Sequence, residues 1–149
     1  MDGQAAVWFE DYTEGDRVLS PRRHIGVDDI KAYVRFSNDV QTLLHPADDG
    51  PLVVPPLYLF SLGVGLLLHG TGTYIPRQFV AFFGFDAIEF HDEARAGDTI
   101  RSSATVTELT DRGRNGLVHY LHETRDGNDR LLVSSRQRIL VRRKAAADE

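Results

Sequence analysis

An aspartate and a histidine stand close together in one polar segment of this chain, just ahead of a proline-started apolar stretch. The segment reads Phe36-Ser-Asn-Asp39-Val-Gln-Thr-Leu-Leu-His45 and bends through Gly50. It then runs into Pro55-Pro56-Leu-Tyr-Leu-Phe-Ser-Leu-Gly-Val-Gly-Leu-Leu-Leu68. A carboxylate and an imidazole in one loop can share a water and carry protons to or from a bound substrate. Residue types alone leave a plainer alternative open. Asp39 can simply cap a turn, and His45 can be a loop histidine before Pro46, since isolated pairs of this kind are common.

The other polar groupings offer less chemistry. His119 and His122 fall in a strand-like stretch, where residues three apart face opposite sides, so they make poor joint metal ligands. His69-Gly-Thr-Gly-Thr73 follows a helical pattern and lacks the lysine of a phosphate loop, which makes it a helix C-terminal turn. His91-Asp92-Glu93 reads as a solvated turn. No Gly-x-Ser-x-Gly elbow supports serine-hydrolase chemistry. We expect neither a metal site nor a cofactor.

The elements that must position the pair follow from patterning. Residues 1–16 form an irregular lead-in anchored by Trp8, Phe9 and Tyr12, and Arg17 to Ile25 suggests a short strand. Asp28 and Asp29 favour a helix start, because carboxylates complement the first turn. Ile30, Tyr33, Val34 and Ser37 share one face of that helix, which runs to about Phe36. Residues 38–55 read as loop. Pro56 suits the first position of a helix, and residues 57–68 are apolar around the circumference, as a helix buried on all sides requires. From Gln78 onward the pattern changes to strands: Phe79–Phe85 with Ala87–Phe90, Ile100–Leu109, Leu117–Thr124 and Leu131–Arg143. Arg112-Gly-Arg-Asn-Gly116 and Asp126-Gly-Asn128 supply the hairpin turns. Strands that must cover one wholly apolar helix have to curl around it. The expected fold class is therefore α+β, a hotdog arrangement of an antiparallel sheet around a central helix. One domain over residues 1–149 is expected, with a disordered tail at about 144–149.

Composition narrows the function classes. The chain has 149 residues, 42% hydrophobic and 26% charged, and no cysteine, so thiol nucleophiles and disulfides are excluded. A net charge of −5 argues against nucleic acid or an anionic membrane as the main partner. Pro51 to Leu68 is too short an apolar run to span a bilayer, which takes about 20 residues. Met1 to Val7 lacks the basic start and apolar core of a signal peptide. A cytoplasmic protein is expected.

Four stretches in this order resemble the MaoC-like dehydratases and (R)-specific enoyl-CoA hydratases: Phe9-Glu-Asp-Tyr-Thr-Glu-Gly-Asp16, Phe36–His45, Leu59–Leu67, and Ile88-Glu-Phe90 with Ala96-Gly-Asp-Thr99. The resemblance implies an Asp–His pair, here Asp39 and His45, that adds water to or removes it from an acyl thioester on coenzyme A or an acyl carrier protein. It also implies a homodimer, with Pro56, Leu57, Tyr58 and Ser61 of the central helix at the substrate.

Two departures from the family pattern stand out. The motif here is one residue longer and lacks the family's Asn-Pro. Pro55-Pro56 occupies the place of a His-Gly pair whose glycine N–H polarises the thioester carbonyl. Proline has no N–H, so this start also resembles the non-catalytic, acyl-binding hotdog subunits. A specialised biosynthetic dehydratase or cyclase is a further alternative. A hotdog thioesterase ranks last, because residues 57–68 contain no acidic side chain.

Overall fold

The computed structural model describes residues 5–44 and 50–144. His45 and the tail at 145–149 lie outside the described residues. In chain order the elements are β1 (Arg17–Leu19), β2 (Arg23–His24), α1 (Val27–Ser37), α2 (Gln41–Leu44), α3 (Pro56–Leu66), β3 (Phe79–Phe90), β4 (Thr99–Arg112), β5 (Asn115–Asp126) and β6 (Leu131–Arg142). All strand pairs are antiparallel, in the order β1-β4-β5-β6-β3, with β2 extending β1's side along β4. The sheet curls over α3, and this is the hotdog arrangement.

Local chemistry sets the helix limits. The Gly26 N–H donates to the Asp29 carboxylate at 2.8 Å, which closes the first turn of α1. Asn38 ends that helix in the left-handed region (φ 62°), its N–H donating to Val34 O. Ile30 and Val34 are its buried residues, as their spacing predicts. The expected strand at 17–25 is split in two around Pro21, and the expected loop at 38–55 contains the short helix α2.

α3 begins with Pro55 as its N-cap and Pro56 in the first turn. Leu59, Gly63 and Leu67 repeat every four residues and face the sheet, all buried. The opposite stripe is not covered. Leu57 is 58% and Leu68 59% exposed, and Ser61 is exposed between them. This corrects the expectation of a helix buried on all sides: one curled sheet reaches around only part of an apolar cylinder. β3 is open in the same way. Among the described residues it pairs only with β6, and Val80, Phe82, Phe83, Phe85, Ile88 and Phe90 are exposed along it.

Inside, the concave face of the sheet carries two apolar clusters separated by a polar belt. One cluster gathers Phe9, Tyr12, Val18, Leu67, Tyr74, Val106, Tyr120 and Ile139 towards the end of α3. The other gathers Ile25, Ile30, Val34, Val54, Leu59, Ile100 and Leu132 at its start. Between them, under Gly63, lie Ser102, Thr124, His122, Ser135 and Gln137, all buried. Each is bonded to the next: Ser102 Oγ to Thr124 Oγ1 (2.8 Å), Thr124 Oγ1 to His122 Nε2 (3.0 Å), His122 Nδ1 to Ser135 Oγ (3.1 Å), and Gln137 Nε2 donating to Ser135 Oγ (3.3 Å). The Tyr74 hydroxyl donates to Gln137 Oε1 and ends the row. Buried polar groups are tolerable only when satisfied in this way.

Candidate functional site

Asp39 leaves α1 just beyond its left-handed terminus and reaches α3 through two tyrosines. The Tyr33 hydroxyl donates to Asp39 Oδ2 at 3.4 Å, and the Tyr33 ring stacks on Tyr58 with centroids 4.7 Å apart and planes inclined by 13°. The half-buried carboxylate is thereby linked to the first turn of the central helix. Asp39 also caps a turn: Oδ1 accepts the Gln41 N–H at the start of α2 (3.4 Å), and the Asp39 N–H donates to Ser37 Oγ (3.1 Å). The turn-capping role expected from the sequence is thus observed at Asp39. Its expected partner His45 lies outside the described residues.

Tyr58 is the best-held of the expected substrate residues. Burial, then the nearby Asp29 carboxylate, raises its hydroxyl above the ordinary phenol range, with Arg23 acting in the opposite sense. Pro56, Leu57 and Ser61 all lie on exposed parts of α3. Among the described residues, Ser61 is exposed. It sits on the uncovered stripe between Leu57 and Leu68, where only a covering body would enclose it.

A hollow of about 310 Å3 opens beside the head of α3, lined by Val53, Val54, Pro56, Leu59, Phe90, His91, Asp92, Glu93 and Ala94. Its walls come from two segments laid antiparallel. The Val54 N–H donates to Ala94 O, and the Ala96 N–H to Leu52 O, both at 2.8 Å. His91-Asp92-Glu93, expected as a solvated turn, stands beside the helix start. The signal was the register of β3 on β6, Glu89 opposite Ser134 and Phe90 opposite Val133, and no local pattern encodes that register. His91 is exposed, yet its Nε2 lies 2.7 Å from Ser134 Oγ. Among the described residues, no group of three His, Asp or Glu side chains is placed to hold a metal ion. No described helix is long and apolar enough to cross a membrane.

An antiparallel sheet curled around a central helix defines the hotdog class of protein. Solved structures of that class superpose on this one over nearly its whole length. A monoamine oxidase regulatory protein from Archaeoglobus gives a TM-score of 0.80 at 21% identity, covering 97% of this chain and 99% of its own. A MaoC-like dehydratase from Rhodospirillum rubrum gives 0.79 at 20%, covering 93% and 99%. An R-hydratase from Pseudomonas aeruginosa gives 0.73 at 12%, covering 93% and 87%. MaoC-like dehydratases and R-hydratases, the group whose motifs the sequence resembles, are thus among the proteins that share this fold. No family model matches the chain, and no curated protein matches it.

Proposed function

We propose that this chain is a hydro-lyase that adds water to, or removes it from, an acyl thioester carried on coenzyme A or an acyl carrier protein. The observation that carries the reading is the Asp39–Tyr33–Tyr58 connection, which fixes a carboxylate beside the head of the central helix in a fold shared with hydratases and dehydratases. In the hydration direction, Asp39 and His45 hold one water between them. Its hydroxide equivalent bonds to Cβ of a 2-enoyl thioester while the π electrons shift towards the carbonyl oxygen. The remaining proton is delivered to Cα, so both parts of the water end on the product. No cofactor takes part.

The working unit in this reading is a cytoplasmic homodimer of single hotdog domains. The uncovered stripe Leu57–Ser61–Leu68 and the aromatic edge of β3 support it, because apolar patches of this kind mark contact surfaces. Pro56, Leu57, Tyr58 and Ser61 would then contact the substrate, enclosed by the second copy.

The test is spectrophotometric and follows loss of the conjugated 2-enoyl thioester absorbance. Asp39→Asn and His45→Ala should each remove nearly all turnover without unfolding the protein. The two losses should not add, because residues on one proton path act as a unit. A wild type that hydrates no short or medium enoyl-CoA would end the reading. The second reading, an acyl-binding subunit without catalysis, is favoured by Pro55-Pro56 at the helix start. It predicts thioester binding with no turnover.

A further inference from the structure

His91 and Pro56 line the same hollow. A helix of 11 residues such as α3 normally offers backbone N–H groups at its head, but Pro56 has none to offer. A carbonyl oxygen at that position therefore meets a gap in the usual row of donors. The imidazole of His91 is the one polar side chain in the lining that is not a carboxylate, and it is held in place. The His91 backbone N–H donates to Leu132 O at 2.8 Å, and ring Nε2 lies 2.7 Å from Ser134 Oγ and 4.0 Å from Glu89 Oε2. When the serine hydroxyl donates to Nε2, the ring proton stands on Nδ1, which has no hydrogen bond among the described residues.

The rest of the lining suits an acyl group. Val53, Val54, Leu59, Phe90 and Ala94 are apolar, and the two carboxylates at the rim are each ion-paired, Asp92 with Arg130 (3.0 Å) and Glu93 with Arg95 (3.2 Å). A volume of about 310 Å3 stands at the low end of small-molecule pockets, roughly 300–1,000 Å3.

We propose that this hollow receives the acyl end of a short-chain thioester and that His91 donates Nδ1–H to the thioester carbonyl oxygen, in place of the backbone donor that Pro56 lacks. The inference rests on the hydro-lyase reading above. As hydroxide equivalent adds at Cβ, negative charge gathers on the carbonyl oxygen, and a fixed N–H there stabilises the enolate until the proton reaches Cα. A single donor of this kind is worth about 10²–10³ in rate in other enzymes.

The experiment measures hydration of crotonyl-CoA and oct-2-enoyl-CoA by wild type, His91→Ala, His91→Gln, Val53→Phe and Asp39→Asn, alongside calorimetric binding of butyryl-CoA. His91→Ala should lose about 10²–10³ in kcat with an unchanged melting temperature. His91→Gln, whose amide can still donate, should recover part of that loss. Val53→Phe fills the hollow from its half-buried rim and should abolish butyryl-CoA binding, and wild type should favour the crotonyl substrate. Full activity in His91→Ala beside an inactive Asp39→Asn overturns the inference and leaves the hydro-lyase reading standing. If wild type turns over neither substrate, that reading falls, and butyryl-CoA binding decides the hollow. Loss of binding in Val53→Phe keeps the acyl site there, and unchanged binding removes it.

Discussion

Gly63 of α3 lies directly over Thr124 of β5, so closely that a methyl group on the glycine would overlap the threonine Oγ1 and stand 3.0 Å from Ser102 Oγ. The hydroxyl cannot step aside, because it is bonded to both Ser102 and His122. Gly63→Ala should therefore destabilise the fold by about 1–3 kcal/mol, the usual range for overpacking a filled interior. Gly65, two residues on, is the control. A Cβ there meets nothing within 4 Å, and Gly65→Ala should stabilise by about 0.5–1 kcal/mol. Urea midpoints of the two variants should move in opposite directions.

Acid should loosen the protein before its carboxylates titrate. Burial lowers His122 from 6.5 to about 4, and the groups around it are hydroxyls and the Phe60 ring, with no charge among them. Above pH 6.5 the ring is neutral in both folded and unfolded chains and contributes no pH dependence. As pH falls from 6.5 towards 4 the unfolded chain takes up the proton first, so stability is lost across that window. The loss totals about 3 kcal/mol when complete. Denaturant titrations at pH 7, 5.5 and 4 should show the slope, and His122→Gln should flatten it. An equal slope in that variant would assign the effect elsewhere.

Tyr33→Phe removes the hydroxyl that reaches Asp39 while keeping the ring stacked on Tyr58. On the hydro-lyase reading it should lower kcat/KM severalfold with a stability change under about 1 kcal/mol, the ordinary worth of one hydrogen bond. Tyr33→Ala should lose more of both. Equal activity in Tyr33→Phe and wild type would show that the hydroxyl does not position the carboxylate.

Oligomeric state tests the exposed edge. Val80 and Ile88 are 43% and 40% exposed on β3. Replacing both with lysine should convert a two-copy species into a single copy in sedimentation, with β-structure retained by circular dichroism. A wild type that sediments as one copy at micromolar concentration would remove the dimer from the proposal.

Much of the fold was legible because its signals are local. Ile100, Ser102, Ala104 and Val106 alternate in the sequence, and all four are buried on the inner face of β4. His119 and His122 do face opposite sides, the first bonded to Thr110 and the second enclosed. Alternation with Val133, Ile139 and Val141 would put Leu131 inside, but an extra residue on β6 opposite Thr124 and Arg125 places Leu132 there instead, and a single inserted residue leaves no trace in alternation. The polar belt was hidden for a different reason. Ser102, Thr124, Ser135 and Gln137 come from three strands, and no local pattern shows that strand register joins them in one hydrogen-bonded row. Half of the candidate site was readable as a motif around Asp39. The hollow at the head of α3 depended on tertiary pairing of residues 52–54 with 94–96.

Strand β3 breaks register with β6 at three places, between Phe79 and Ala81, Phe82 and Gly84, and Asp86 and Glu89, and Ala87 within the last break has φ 48°. Each break interrupts the regular row of donors and acceptors that a foreign strand would need for pairing. An antiparallel copy of the same strand presents the same interruptions in mirrored order about a two-fold axis. The irregularities thus make the edge a poor template for aggregation.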